Sequence, residues 1–165
     1  MRFFLCSTLL ALLLPALTFA QVGRQFPTDI QVSTLDGETA SLSDYLEPGK
    51  TTVISIWATW CKPCHLELDA MMPYYESWTN DKNTNVLTIS MDQGYQIKSV
   101  VKLVEKHQWP YPALVESNRK LQQALGFTTI PQLFIVDGTG KIIEHHDGYE
   151  DGQEKKLDKR LDKIR

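Results

Sequence analysis

The chain has 165 residues, with 17 Lys+Arg against 20 Asp+Glu and a formal net charge of −3 at pH 7. That length suits one domain, and the mild acidity excludes the basic face of a nucleic-acid binder or a cationic patch for an anionic bilayer.

The first twenty residues carry one basic residue (Arg2), an apolar run from Leu9 to Leu17, and then Thr18-Phe19-Ala20. This is the order of a secretory signal peptide cut after Ala20. The run falls short of the about 20 apolar residues that a membrane span needs. Cys6 lies too near the start to serve as a lipoprotein acceptor. Residues 21–165 then form one domain in the periplasm or outside the cell, where disulfides persist.

In that domain, Ile30-Gln31-Val32-Ser33 and Glu38-Thr39-Ala40 flank Asp36-Gly37, the signal of a hairpin. Ser41 to Leu46 reads as a short capped helix ending before Pro48-Gly49. This N-terminal region is expected to cover a sheet edge and to carry no chemistry.

A β-branched apolar run, Thr51 to Ile56, leads into Trp57-Ala58-Thr59-Trp60-Cys61-Lys62-Pro63-Cys64-His65. The pattern predicts a buried strand, a short turn and a helix that opens on two thiols. Pro63 fits the first helical turn, where no intrahelical partner exists for the N–H that proline lacks. Backbone N–H groups and the helix dipole then face Cys61 and favour its thiolate, which makes it a nucleophile. Lys62 adds a positive charge beside it. A structural disulfide closing so small a loop would stabilise little.

Cys61-Lys62-Pro63-Cys64-His65 is also a literal haem c attachment motif. Against it, an apolar strand runs straight into the cysteines and leaves no haem crevice, and Trp60 and Pro63 have no part in haem attachment. Closed zinc sites want four ligands, and no second cysteine pair exists; His145 and His146 are expected on the two faces of an exposed strand.

Glu67 follows Cys64 by three residues, about one helical turn. It is either an exposed helical glutamate or a carboxylate beneath the disulfide that exchanges protons with Cys64. Pro73 should kink this helix.

Val86 to Ser90 reads as a buried strand. Ile97, Val100, Val101 and Val104 mark a helix face between Tyr95 and His107, with His107 a favourable charge at its end. Trp109-Pro110-Tyr111-Pro112 breaks the pattern, Ala113 to Val115 is a short strand, and Asn118 is placed to cap a short helix through Leu125, stopped by Gly126. Thr129-Ile130-Pro131-Gln132 leads into the strand Leu133 to Val136, then the turn Asp137 to Gly140 and a return strand from Lys141 to His145. Leu157, Leu161 and Ile164 line one face of a last helix.

The order strand, Trp-Cys-x-x-Cys helix, strand, helix, Ile-Pro, hairpin, helix resembles an α/β thioredoxin fold: a central mixed sheet flanked by helices, here with an N-terminal hairpin extension. More narrowly, Trp57 to Cys64 and Phe127 to Lys141 resemble the two signatures of the TlpA/ResA-like, cytochrome c maturation-type branch of secreted thioredoxins. Tyr95 to Asn118 corresponds to that branch's inserted helix and strand. The resemblance spans roughly Phe26 to Ile164.

The resemblance implies thiol–disulfide exchange with no cofactor beyond the Cys61–Cys64 disulfide. Cys61 attacks, Cys64 resolves, and Glu67 accepts the Cys64 proton. Ser55 stands where cytosolic thioredoxins keep a buried aspartate, which leaves Glu67 that task. Pro131 corresponds to a cis-proline facing the disulfide, Ile130 offers backbone to the substrate chain, and Trp60 shields the sulfurs and helps dock substrate. Expected partners are disulfide-containing secreted proteins such as apocytochromes, and a membrane thiol carrier as electron donor, with the protein a monomer. The same residues would serve a disulfide-forming oxidase. Asp69 departs from the branch, which usually has proline there.

Overall fold

A computed structural model describes residues 21–164; the leader read at residues 1–20 lies outside them. The expected hairpin pairs β1 (Gln31–Ser33) with β2 (Thr39–Ser41) around Gly37, whose φ of 90° is the left-handed geometry that glycine takes without steric cost. A 3-10 turn, Leu42–Tyr45, follows it and drops Leu42 into the core.

Next come β3 (Thr51–Trp57) and α1 (Lys62–Met71). Pro73 occupies a 3-10 turn, Met72–Tyr74, between α1 and α2 (Tyr75–Asn80), so the interruption is a joint between two helices. Then follow β4 (Thr84–Ser90), α3 (Ile97–His107), β5 (Ala113–Val115) and α4 (Lys120–Leu125). The chain closes with β6 (Gln132–Val136), β7 (Ile142–Asp147) and α5 (Gln153–Leu161).

One seven-stranded sheet runs in the order β2-β1-β5-β4-β3-β6-β7. β3, β4 and β5 are parallel, while β6, β7 and the hairpin run antiparallel to their neighbours. The N-terminal hairpin covers the β5 edge by pairing Ser33 with Val115. β3 is buried on both faces, as a near-continuous apolar strand should be. Val53 and Trp57 pack with Leu68, Met71 and Leu157 on one face; Ile54 and Ile56 pack with Leu121 and Leu125 on the other. That alternation sends Ser55 to the same side as α1.

Three local expectations change. Asn118 does not cap α4: the preceding residue is Arg119, and the fully buried Glu116 carboxylate accepts from the Asn118 and Leu121 N–H groups at 2.8 and 3.3 Å. His145 and His146 lie half-buried inside β7; the ring of one stacks on Phe134 and the other bonds Glu144 at 2.8 Å. His107 does more than neutralise a helix end, since its Nδ1 meets Asp69 Oδ1 at 2.8 Å. Among the described residues no helix is long and apolar enough to cross a membrane.

Candidate active site

The parallel strands β3 and β4 end side by side, and the chain leaving β3 turns through Thr59 and Trp60 before α1 begins. That turn is held from the neighbouring strand's exit. Buried Asp92 accepts from the Thr59 N–H at 2.8 Å, from the Thr59 hydroxyl at 2.7 Å and from the Ser90 hydroxyl at 2.7 Å. Three donors on one buried carboxylate fix the approach to the cysteines.

Cys61 is the N-cap of α1, with Pro63 in the first turn, and its Sγ accepts from the Cys64 N–H at 3.3 Å. Cys61 and Cys64 are joined as a disulfide. Cys64 is fully buried, whereas Cys61 keeps 4% of its surface exposed. Of the two residues, Cys61 alone keeps any exposure. Its Sγ lies 3.7 Å from the Ile130 carbonyl oxygen, and the Ile130-Pro131 peptide is cis. That segment is tied down on both sides. Gln132 donates to the Thr129 carbonyl at 2.9 Å and to Asp147 Oδ1 at 2.6 Å; the Thr129 hydroxyl donates to the same oxygen at 2.7 Å.

Of the two readings of Glu67, burial decides: the side chain is 2% exposed. Ser55 Oγ donates to its Oε1 at 2.7 Å, while Oε2 has no hydrogen-bond partner among the described residues. Burial pushes its carboxyl up to about 7, outweighing the Ser55 hydrogen bond, which pulls the other way. A carboxyl one turn beyond Cys64 that titrates near neutrality can both hold and release a proton at working pH.

Trp60 is 72% exposed and borders a groove with Met91, Phe127 and Ile130. Lys62 is exposed at the start of α1. His65 turns away from the disulfide into a ring cluster, 6.3 Å from Trp57 and 5.8 Å from Trp109. Asp69 anchors that cluster by accepting from Trp109 Nε1 at 2.7 Å, which gives the departure at this position a structural purpose. A helix-buried Cys64 and a His65 ring packed among indoles do not fit thioether attachment of a haem ligated by that histidine.

The structure thus brings Cys61, Cys64, Glu67, Trp60, Ile130 and Pro131 to one end of the sheet. Sequence reasoning missed Asp92, Ser90 and the Gln132–Asp147 tie. The available signal was an Asp two residues past the end of a central strand whose exit adjoins the thiol turn.

The AhpC/TSA family profile matches residues 22–145. The chain is 26% identical over 144 residues to the thiol-disulfide oxidoreductase ResA of Bacillus thuringiensis, covering 87% of this chain and 79% of that one. It is 30% identical over 128 residues to the thioredoxin-like protein YneN of Bacillus subtilis, covering 78% and 72%. A thioredoxin-like protein from Porphyromonas gingivalis superimposes with a TM-score of 0.73 at 33% identity, covering 87% of this chain and 93% of that one. With a thioredoxin fold, a Cys61–Cys64 redox pair and these relatives, the chain belongs to the AhpC/TSA family, as a thiol-disulfide oxidoreductase of the ResA type.

Proposed function

We propose that the protein reduces disulfides of secreted or periplasmic proteins, with Cys61 as nucleophile, Cys64 as resolving thiol and Glu67 as proton acceptor. Cys61 as thiolate attacks a substrate disulfide, forms a mixed disulfide and expels the first substrate thiol, which takes up a proton. Cys64 then passes its proton to Glu67 and attacks Cys61 Sγ, expelling the second substrate thiol. One electron pair and the Cys64 proton leave the Cys61 thiolate and Cys64 thiol. Solvent protonates the first expelled thiolate, Glu67 returns the Cys64 proton to the second, and one disulfide becomes two thiols. A membrane thiol carrier returns the pair to its reduced form.

The observation that carries this reading is the buried Glu67 one turn below Cys64, its carboxyl pushed up to about 7 by burial. Resolution needs a base just there, because a helix-buried thiol has no water to take its proton. Trp60 and the Ile130 backbone offer the docking surface, and exposed Lys62 favours the Cys61 thiolate. The substrates include apocytochromes, in keeping with the branch that the sequence resembles, and the protein works as a monomer after losing residues 1–20.

The test is the reduction potential of the pair, from equilibration in dithiothreitol or glutathione buffers followed by Trp60 fluorescence. A value at or below about −250 mV supports a reductant; about −120 to −150 mV makes this a disulfide-forming catalyst instead.

A further inference from the structure

The groove bordered by Trp60 and by Ile130, whose carbonyl lies against Cys61 Sγ, has one charged side chain in its lining. Its lining residues include Trp60, Met91, Phe127, Gln122 and Ile130, and Arg119 alone among them is charged. Arg119 is exposed, and its guanidinium makes no hydrogen bond or ion pair with any described residue. Its backbone, by contrast, is held firmly. Arg119 has φ 55° and ψ 23°, the left-handed region that an arginine enters only at a cost.

The residues around it supply that hold. Buried Glu116 accepts from the N–H of Asn118 just before it and from the N–H of Leu121 just after it. The Arg119 carbonyl accepts from the Gln123 N–H at 3.0 Å. Buried Glu116 thus fixes the backbone from which an unpaired cation borders the groove.

We propose that Arg119 selects substrates, reading an acidic side chain in the extended segment that carries the disulfide to Cys61. This inference rests on the redox reading above. The apolar wall of Trp60, Met91 and Phe127 covers an apolar side chain of that segment. The guanidinium fork at its edge matches a carboxylate and repels an amine, so both halves of the discrimination come from one residue. The protein's net charge of −3 works against long-range capture of acidic partners, so the preference arises from local contact in the groove.

The experiment uses short intramolecular-disulfide peptides that are identical except for Glu, Gln or Lys beside one cysteine, each flanking position being varied in turn. Single-turnover reduction by the reduced protein is followed by tryptophan fluorescence, and the readout is the ratio of rate constants for the Glu and Lys peptides. A ratio makes any general loss of activity or stability in a variant cancel. At the best flanking position the wild-type ratio is expected to be about fivefold or more, and to shrink as salt is added. Arg119→Gln should bring it to near one, and Arg119→Glu should invert it. A wild-type ratio near one at every position, or a ratio that survives Arg119→Glu, overturns the proposal. Hydroxyethyl disulfide, which is uncharged, separates the two levels: wild-type protein that reduces it without charge preference among peptides keeps the redox reading and loses this one. Protein that fails to reduce it loses both.

Discussion

Ser55 Oγ and Glu67 Oε1 meet at 2.7 Å in the core, joining the central strand to the helix that carries the cysteines. Among the described residues the hydroxyl is the one hydrogen-bond donor to this carboxyl, and Oε2 has no partner. Burial therefore dominates and keeps the group near neutrality in its titration, about 7. Two outcomes are expected from the pH dependence of disulfide reduction. Glu67→Gln should slow resolution by on the order of a hundredfold and erase the inflection near pH 7. Ser55→Ala removes the only influence that holds the carboxyl down, so its inflection should move upward. An inflection left near pH 7 in Glu67→Gln would remove Glu67 from the proton transfer.

The same shift has a consequence for stability. The unfolded chain releases the Glu67 proton near 4.5, the folded chain near 7. Between those values the folded state binds more protons, so the contribution of this group is fully present below about 4.5 and is lost as pH rises to about 7. Above that the deficit is constant. Glu67→Gln abolishes the titration. Denaturant melts of the oxidised proteins should show the variant gaining on wild type by about 3 kcal/mol between acid and mildly alkaline pH. A stability difference that stays flat with pH would mean that Glu67 titrates as an ordinary carboxylate.

Much of this site was legible in one dimension because its parts are local. Cys61, Pro63, Cys64 and Glu67 lie on one helix, where spacing alone fixes their relation. The central strand announced itself by its β-branched run, and the hairpin by Asp36-Gly37. What spacing left open was burial: nothing local distinguishes an exposed Glu67 from one capped by Ser55, twelve residues away on another element. Asp92 and Thr59 are separated by thirty-three positions and meet only because β3 and β4 are neighbours. Asn118 looked like a helix cap by type, yet the buried carboxylate of Glu116, two residues earlier, accepts from the N–H groups of Asn118 and Leu121.

Asp92 is the support most exposed to a single change. It accepts from two donors of Thr59, in the turn that delivers Trp60 and Cys61, and from one of Ser90 at the end of β4. Asp92→Ala strands those donors, and a loss of about 2–4 kcal/mol is expected in denaturant melts. Because the turn also sets where Cys61 meets substrate, the second-order rate with peptide disulfides should fall more than the rate with a small disulfide such as hydroxyethyl disulfide. Equal losses on both would confine Asp92 to the stability of the fold.

The proposed division of labour between Cys61 and Cys64 rests on their unequal exposure. Cys61 keeps 4% of its surface exposed and lies against the Ile130 carbonyl, while Cys64 is fully buried. Cys64→Ser leaves a nucleophile with no resolving partner. Reduced variant mixed with a peptide disulfide should therefore accumulate a covalent adduct approaching one per chain, visible as a mass increase that dithiothreitol reverses. Cys61→Ser leaves a thiol that reacts only when the helix start opens. If that opening costs about 3 kcal/mol, alkylation of Cys64 should run on the order of a hundredfold slower than alkylation of Cys61 in the reciprocal variant. Fast adduct formation by Cys61→Ser, with none by Cys64→Ser, would invert the assignment of nucleophile and resolving thiol and move the proton-accepting role of Glu67 to the first step of the exchange.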